Sequence, residues 1–78
     1  METVQRLDLS GVQCPINWVR TKLALEEMEP GEVIEVWLDD GEPIRNVPRS
    51  AAGEGHRVVR VAPQDSFFRV LIKRGGDS

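Results

Sequence analysis

The chain contains one cysteine, Cys14, in the run Cys14-Pro15-Ile16-Asn17. Proline is favoured at the first position of a helix, where its missing N–H costs nothing. This predicts a helix opening at Pro15, with Cys14 just before it and its sulfur facing free backbone N–H groups and the positive end of the helix dipole. A thiol held there ionises more readily, and the thiolate is the nucleophile. An isolated free cysteine is often only a small buried hydrophobe. A loop edge beside Gly11 and Gln13 favours the reactive role. A lone cysteine closes no intramolecular disulfide, so the chemistry on offer is that of an exposed sulfur.

Few other residues compete for a chemical role. One Cys and one His, His56, cannot supply a structural zinc site, so no metal is expected. His56 follows a helical segment and reads as a solvated surface residue. Asp39-Asp40-Gly41 reads as turn and helix-capping chemistry rather than a cation site. The formal net charge of −3 and a pI near 5.0 argue against nucleic-acid binding. The cations are scattered along the chain, and no basic–aromatic strand stands out. Arg20, Lys22 and Arg45 could steer an anion, or equally could line a solvated face.

The elements that must position Cys14 follow from periodicity and breakers. Thr3 to Leu9 reads as a strand, Ser10-Gly11 as a turn, and Pro15 to Met28 as a helix stopped by Pro30-Gly31. Val33 to Leu38 is an apolar, β-branched central strand. A second helical segment runs from Pro43 to Ala52, with Pro48 kinking it or starting a fresh turn and Gly53 and Gly55 ending it. Arg57 to Ala62 and Phe67 to Lys73 are strands joined by the loop Pro63-Gln64-Asp65-Ser66. The order β-α-β-α-β-β predicts an α+β, two-layer sandwich in a single domain over residues 1–78: a four-stranded mixed sheet with both helices on one face. Residues 75–78 are expected to fray. A chain this short buries roughly 60–65 % of its unfolded surface, so each packing contact counts.

Sheet alternation turns Ile34, Val36 and Leu38 towards the helices and Trp37 away from them. Trp37, Phe67 and Leu71 would then lie on an uncovered face, an apolar patch suited to a weak dimer or partner contact. The first helix carries two stripes, Trp18-Thr21-Leu25-Met28 and Ile16-Val19-Leu23, and only one can face the sheet squarely. No secretory leader and no membrane-length apolar run is present, so a cytoplasmic location without membrane contact is expected. An unpaired thiol suits that reducing compartment.

The segment from Leu9 through Gly75 resembles the TusA/SirA-like family of small sulfur-carrier proteins. The resemblance rests on Cys14-Pro15, Glu29-Pro30-Gly31-Glu32, Asp39-Asp40, Val47-Pro48 and the ending Lys73-Arg74-Gly75, taken in order and spacing. It implies the same β-α-β-α-β-β sandwich and a sulfurtransferase-type activity: Cys14 accepts sulfur as a persulfide and passes it on, with no cofactor. The partners so implied are a protein sulfur donor (a cysteine desulfurase or another persulfide enzyme) and a protein sulfur acceptor, without direct nucleic acid. Asn17 stands where the family has the second proline of Cys-Pro-x-Pro. It restores an N–H and adds a side-chain amide one turn from the sulfur, so Pro15 and Asn17 are the expected supports of the thiolate. By the same resemblance the Trp18 stripe faces the core. Ile16, Val19, Arg20 and Leu23 are then left beside the sulfur as a partner-docking surface. The competing expectation is a non-catalytic interaction or redox-regulatory module that keeps the fold.

Overall fold

The computed structural model describes residues 3–13 and 15–75. Its elements run β1 Thr3–Asp8, α1 Ile16–Glu26, β2 Val33–Asp39, α2 Glu42–Gly53, β3 Arg57–Pro63 and β4 Phe67–Lys73. The sheet order is β1-β2-β4-β3. β1 and β2 are parallel, while β4 is antiparallel to both β2 and β3. Leu7, Val36 and Val70 share one row of this ladder, and Ile34 and Ile72 share another. All pack into a single core with Leu25 and Met28 from α1 and its exit and with Val47 and Ala51 of α2. One core on one sheet face places both helices on that face, as the alternation of β2 predicts.

The helix ends depart from the expected ones for identifiable reasons. α1 starts at Ile16, one residue late, because Pro15 occupies the cap position with φ −92° and ψ 8°. It ends at Glu26 because the chain tightens: the amides of Glu27 and Met28 donate to Ala24 and Leu25 oxygens, three residues back. The Leu25 carbonyl also accepts a bond from Arg74 Nε, so the end of the hairpin caps the first helix. α2 runs unbroken through Pro48. The lost N–H there is outweighed by Val47 and Ala51, both fully buried. Asp40 does not cap this helix: its Oδ1 accepts the adjacent Gly41 amide at 2.8 Å, and Gly41 at the cap makes no side-chain cap bond.

The face without helices is not the apolar patch expected. Trp37, Phe67 and Leu71 are all only half-exposed. Trp37 stacks on Phe67 with centroids 4.9 Å apart, and the Arg6 guanidinium sits 5.4 Å from the Trp37 ring. Glu35, buried between them, accepts the Trp37 indole N–H at 2.6 Å and pairs with Arg6 at 3.4 Å and Arg69 at 3.8 Å. Polar side chains fold over the rings and satisfy the buried carboxylate.

Candidate functional site

Cys14 itself lies outside the described residues, so the site is built from what flanks it. The loop after β1 is pinned turn by turn. Asp8 Oδ1 accepts the Ser10 hydroxyl at 2.6 Å and the Ser10 amide at 3.1 Å. The Ser10 hydrogen bonds, the hydroxyl's first, hold the Asp8 carboxyl below its ordinary value. The Val12 amide donates to Leu9 at 3.0 Å, closing a turn in which Gly11 takes a φ of +80°, a conformation that suits glycine. The Gly11 amide donates to Asp39 Oδ2 at 2.7 Å, tying the loop to the end of β2.

From the helix side the loop is held by Asn17. This side chain is fully buried. Its Oδ1 accepts the Trp18 amide at 2.7 Å, its Nδ2 donates to the Val12 carbonyl at 3.4 Å, and its own amide donates to the Gln13 carbonyl at 3.1 Å. The carbonyls of both residues preceding Cys14 are thus joined to the first helical turn following it. The backbone amides of Asn17 and Trp18, both in the first helical turn, therefore already have acceptors. Asn17 rather than Trp18 heads the buried stripe Asn17-Thr21-Leu25-Met28, with Trp18 half-buried beside the core. Pro15 is exposed at the cap.

Ile16, Val19 and Leu23 are 53 %, 46 % and 57 % exposed, and Arg20 between them is exposed too. On the other side of the loop a pocket of about 460 Å³ is lined by Gly11, Val12 and Gln13 and by Asp39, Asp40, Glu42 and Pro43. The loop residues preceding Cys14 thus lie against an acidic concavity, and the helix following it presents an apolar stripe. Asp39 as an anchor of the loop was missed by sequence reasoning. Its partner lies 28 residues away, and nothing local marks the pairing.

The remaining candidates are placed elsewhere. Arg45 Nε donates to the Gly41 carbonyl at the start of its own helix. His56 is half-buried rather than freely solvated: its Nδ1 accepts the Gly75 amide at 3.0 Å. Burial first, then the nearby Arg74 charge, push its pKa below 6.5, against the pull of Glu54. Gly75, expected to begin a frayed end, is held there, and a Cβ on it would collide with the Gly55 carbonyl. Among the described residues no group of His, Cys, Asp and Glu could hold a metal ion, and no helix is long and apolar enough to cross a membrane.

Residues 5–74 match the family model of the sulfurtransferase TusA. The chain belongs to the TusA family. Its relatives agree with that membership. A protein of Archaeoglobus fulgidus, provisionally named a sulfur carrier protein, is 40 % identical over 75 residues, covering 95 % of this chain and 85 % of its own. YedF of Escherichia coli K12, with the same provisional name, is 33 % identical over 69 residues, covering 88 % of this chain and 90 % of its own. The crystal structure of a SirA-like protein from Desulfitobacterium hafniense superposes with a TM-score of 0.79 at 30 % identity, covering 94 % of this chain and all of that one.

Proposed function

We propose that this TusA-family chain relays persulfide sulfur from a protein donor to a protein acceptor through Cys14. The observation that supports the reading is what flanks Cys14: in a chain matching the family over residues 5–74, the loop before it is hydrogen-bonded both to β2 and to the helix after it. The Cys14 thiolate attacks the outer sulfur of the donor's persulfide, whose S–S bond breaks. The donor leaves as a thiolate, and Cys14 carries the new S–S bond. An acceptor thiolate repeats the exchange on the outer sulfur of Cys14 and regenerates its thiolate. Neither step consumes an oxidant, and neither calls for a general base from the chain. The donor is a cysteine desulfurase or another persulfide enzyme, and the reducing cytoplasm keeps the carrier thiol unpaired.

Ile16, Val19, Arg20 and Leu23 are the surface on which these partners rest in this reading, since they follow Cys14 on the next helix and are exposed. An apolar core with a charged member fits a contact that forms and releases within each cycle. Sulfur transfer between a loaded donor and a thiol acceptor tests both parts. Cys14→Ser is expected to abolish transfer with the fold intact. Val19→Glu is expected to slow it at least tenfold while Cys14 stays open to alkylation. Full transfer by Cys14→Ser would overturn the relay, and full transfer by Val19→Glu would overturn the docking surface.

A further inference from the structure

The cations that look scattered in the sequence gather on the sheet face without helices. In register, Arg57 stands opposite Lys73, and Arg60 opposite Leu71 in the row of Glu35 and Arg6. Arg69 lies on the same face, since it reaches Glu35. Arg6 and Arg69 are paired with that buried carboxylate. Among the described residues Arg57, Arg60 and Lys73 form no ion pair. Like charges directly opposite across two strands repel, so Arg57 against Lys73 weakens the sheet. Charges on an edge strand deter stray pairing, which accounts for Arg57 and Arg60 on β3. It does not account for Lys73 on β4, which has a strand on either side.

We propose that Arg57, Arg60 and Lys73 form a docking surface for an acidic protein partner, remote from the sulfur-carrying loop. Lys73 pairs with Val33, at the start of β2, whereas the loop is tied to Asp39 at its end. At ~3.3 Å per residue the two ends lie about 20 Å apart. A partner held by these cations leaves Cys14 open to a second protein. The acids Glu26, Glu27, Asp40, Glu42 and Glu54 lie on helices and turns, while Asp8 and Asp39, at the far ends of β1 and β2, have their carboxylates bonded to Ser10 and to the Gly11 amide. The molecule is 16 Å across its shortest dimension, twice the screening length of ~8 Å at physiological salt, so the face keeps its own positive field. Protein rather than nucleic acid fits for two reasons. Leu71, half-exposed and directly opposite Arg60, adds apolar area beside the arginines. The stacking face that Trp37 would offer a base is already taken by Arg6 and Phe67. Arginine forks pair with carboxylates bidentately. A second copy docked face to face is disfavoured, because it would set these cations against their own images.

The surface is independent of whether Cys14 carries sulfur, and it is tested on the unloaded full chain. The probe is a fluorescein-labelled polyglutamate peptide read by anisotropy at physiological salt, with an oligouridylate of equal charge as the competitor class. Arg57→Glu/Arg60→Glu is expected to weaken peptide binding at least tenfold. Arg49→Glu, an exposed cation on α2, is expected to change it less than twofold. Because Arg57→Glu replaces a repulsive pair with an attractive one, its melting temperature is expected to be unchanged or higher. The proposal is overturned by absence of peptide binding, by equal losses in the Arg49 and Arg57/Arg60 variants, or by tighter binding of the oligouridylate.

Discussion

Asn17 does more for the loop than any other single described side chain. A buried amide is tolerated only with its hydrogen bonds made, and here they join Val12 and Trp18 while the backbone joins Gln13. Removing one partner of a buried bond leaves the other unsatisfied, at about 1–3 kcal/mol. Asn17→Ala is therefore expected to lower the unfolding free energy by that amount, read as a lower urea midpoint, and to speed hydrogen exchange at the Trp18 amide. An unchanged midpoint and unchanged exchange would remove the clamp from the account. Sequence alone marked Asn17 as a departure at an important position and placed its side-chain amide one turn from the sulfur, without giving its partners. Its spacing with Thr21 and Leu25 was visible; that a polar residue heads a core stripe was not, because its partners are backbone groups of the preceding loop.

At the scale of elements, the loop after β1 is positioned by β2 as much as by its own helix. The bond from the Gly11 amide to Asp39 crosses between strands at the end where the parallel pair finishes. Asp39→Ala is expected to cost about 1 kcal/mol and expose the Gly11 amide to exchange, while Asp39→Asn retains an acceptor and most of the protection. Equal protection in both variants would contradict this anchoring. The strands and helices were legible because Ile34, Val36 and Leu38 alternate cleanly and Pro30-Gly31 and Gly53 stop the helices. Side-chain roles at the joints were not, since Asp40 and Asp39 look alike in sequence and only one reaches another element.

For the whole molecule, the end of the chain is stitched back onto its middle. Arg74 reaches the Leu25 carbonyl, and the Gly75 amide reaches His56, whose accepting nitrogen must be unprotonated. Lys22, Glu26, Glu54 and Arg74 line the same pocket as this imidazole. Since the folded pKa is depressed, the unfolded chain takes up the proton first. Stability should hold above about pH 6.5 and fall as pH drops from there towards the lower folded value. Melting temperatures between pH 7.5 and 5.5 would show that fall, and His56→Asn, which keeps an acceptor but does not titrate there, should flatten it. A wild-type profile as flat as the variant's would contradict the stitch. The cationic sheet face belongs to this scale too. Arg6, Arg57, Arg60, Arg69 and Lys73 are dispersed in sequence and meet only through strand register, so a reading by runs of charge could not see them.

Intact-mass spectrometry after incubation with a loaded persulfide donor tests the central claim most directly. The account predicts a gain of about 32 Da, one sulfur atom, reversed by reductant and absent in Cys14→Ala. A wild-type chain that gains no sulfur from such donors, or a Cys14→Ala chain that gains it equally, would contradict it.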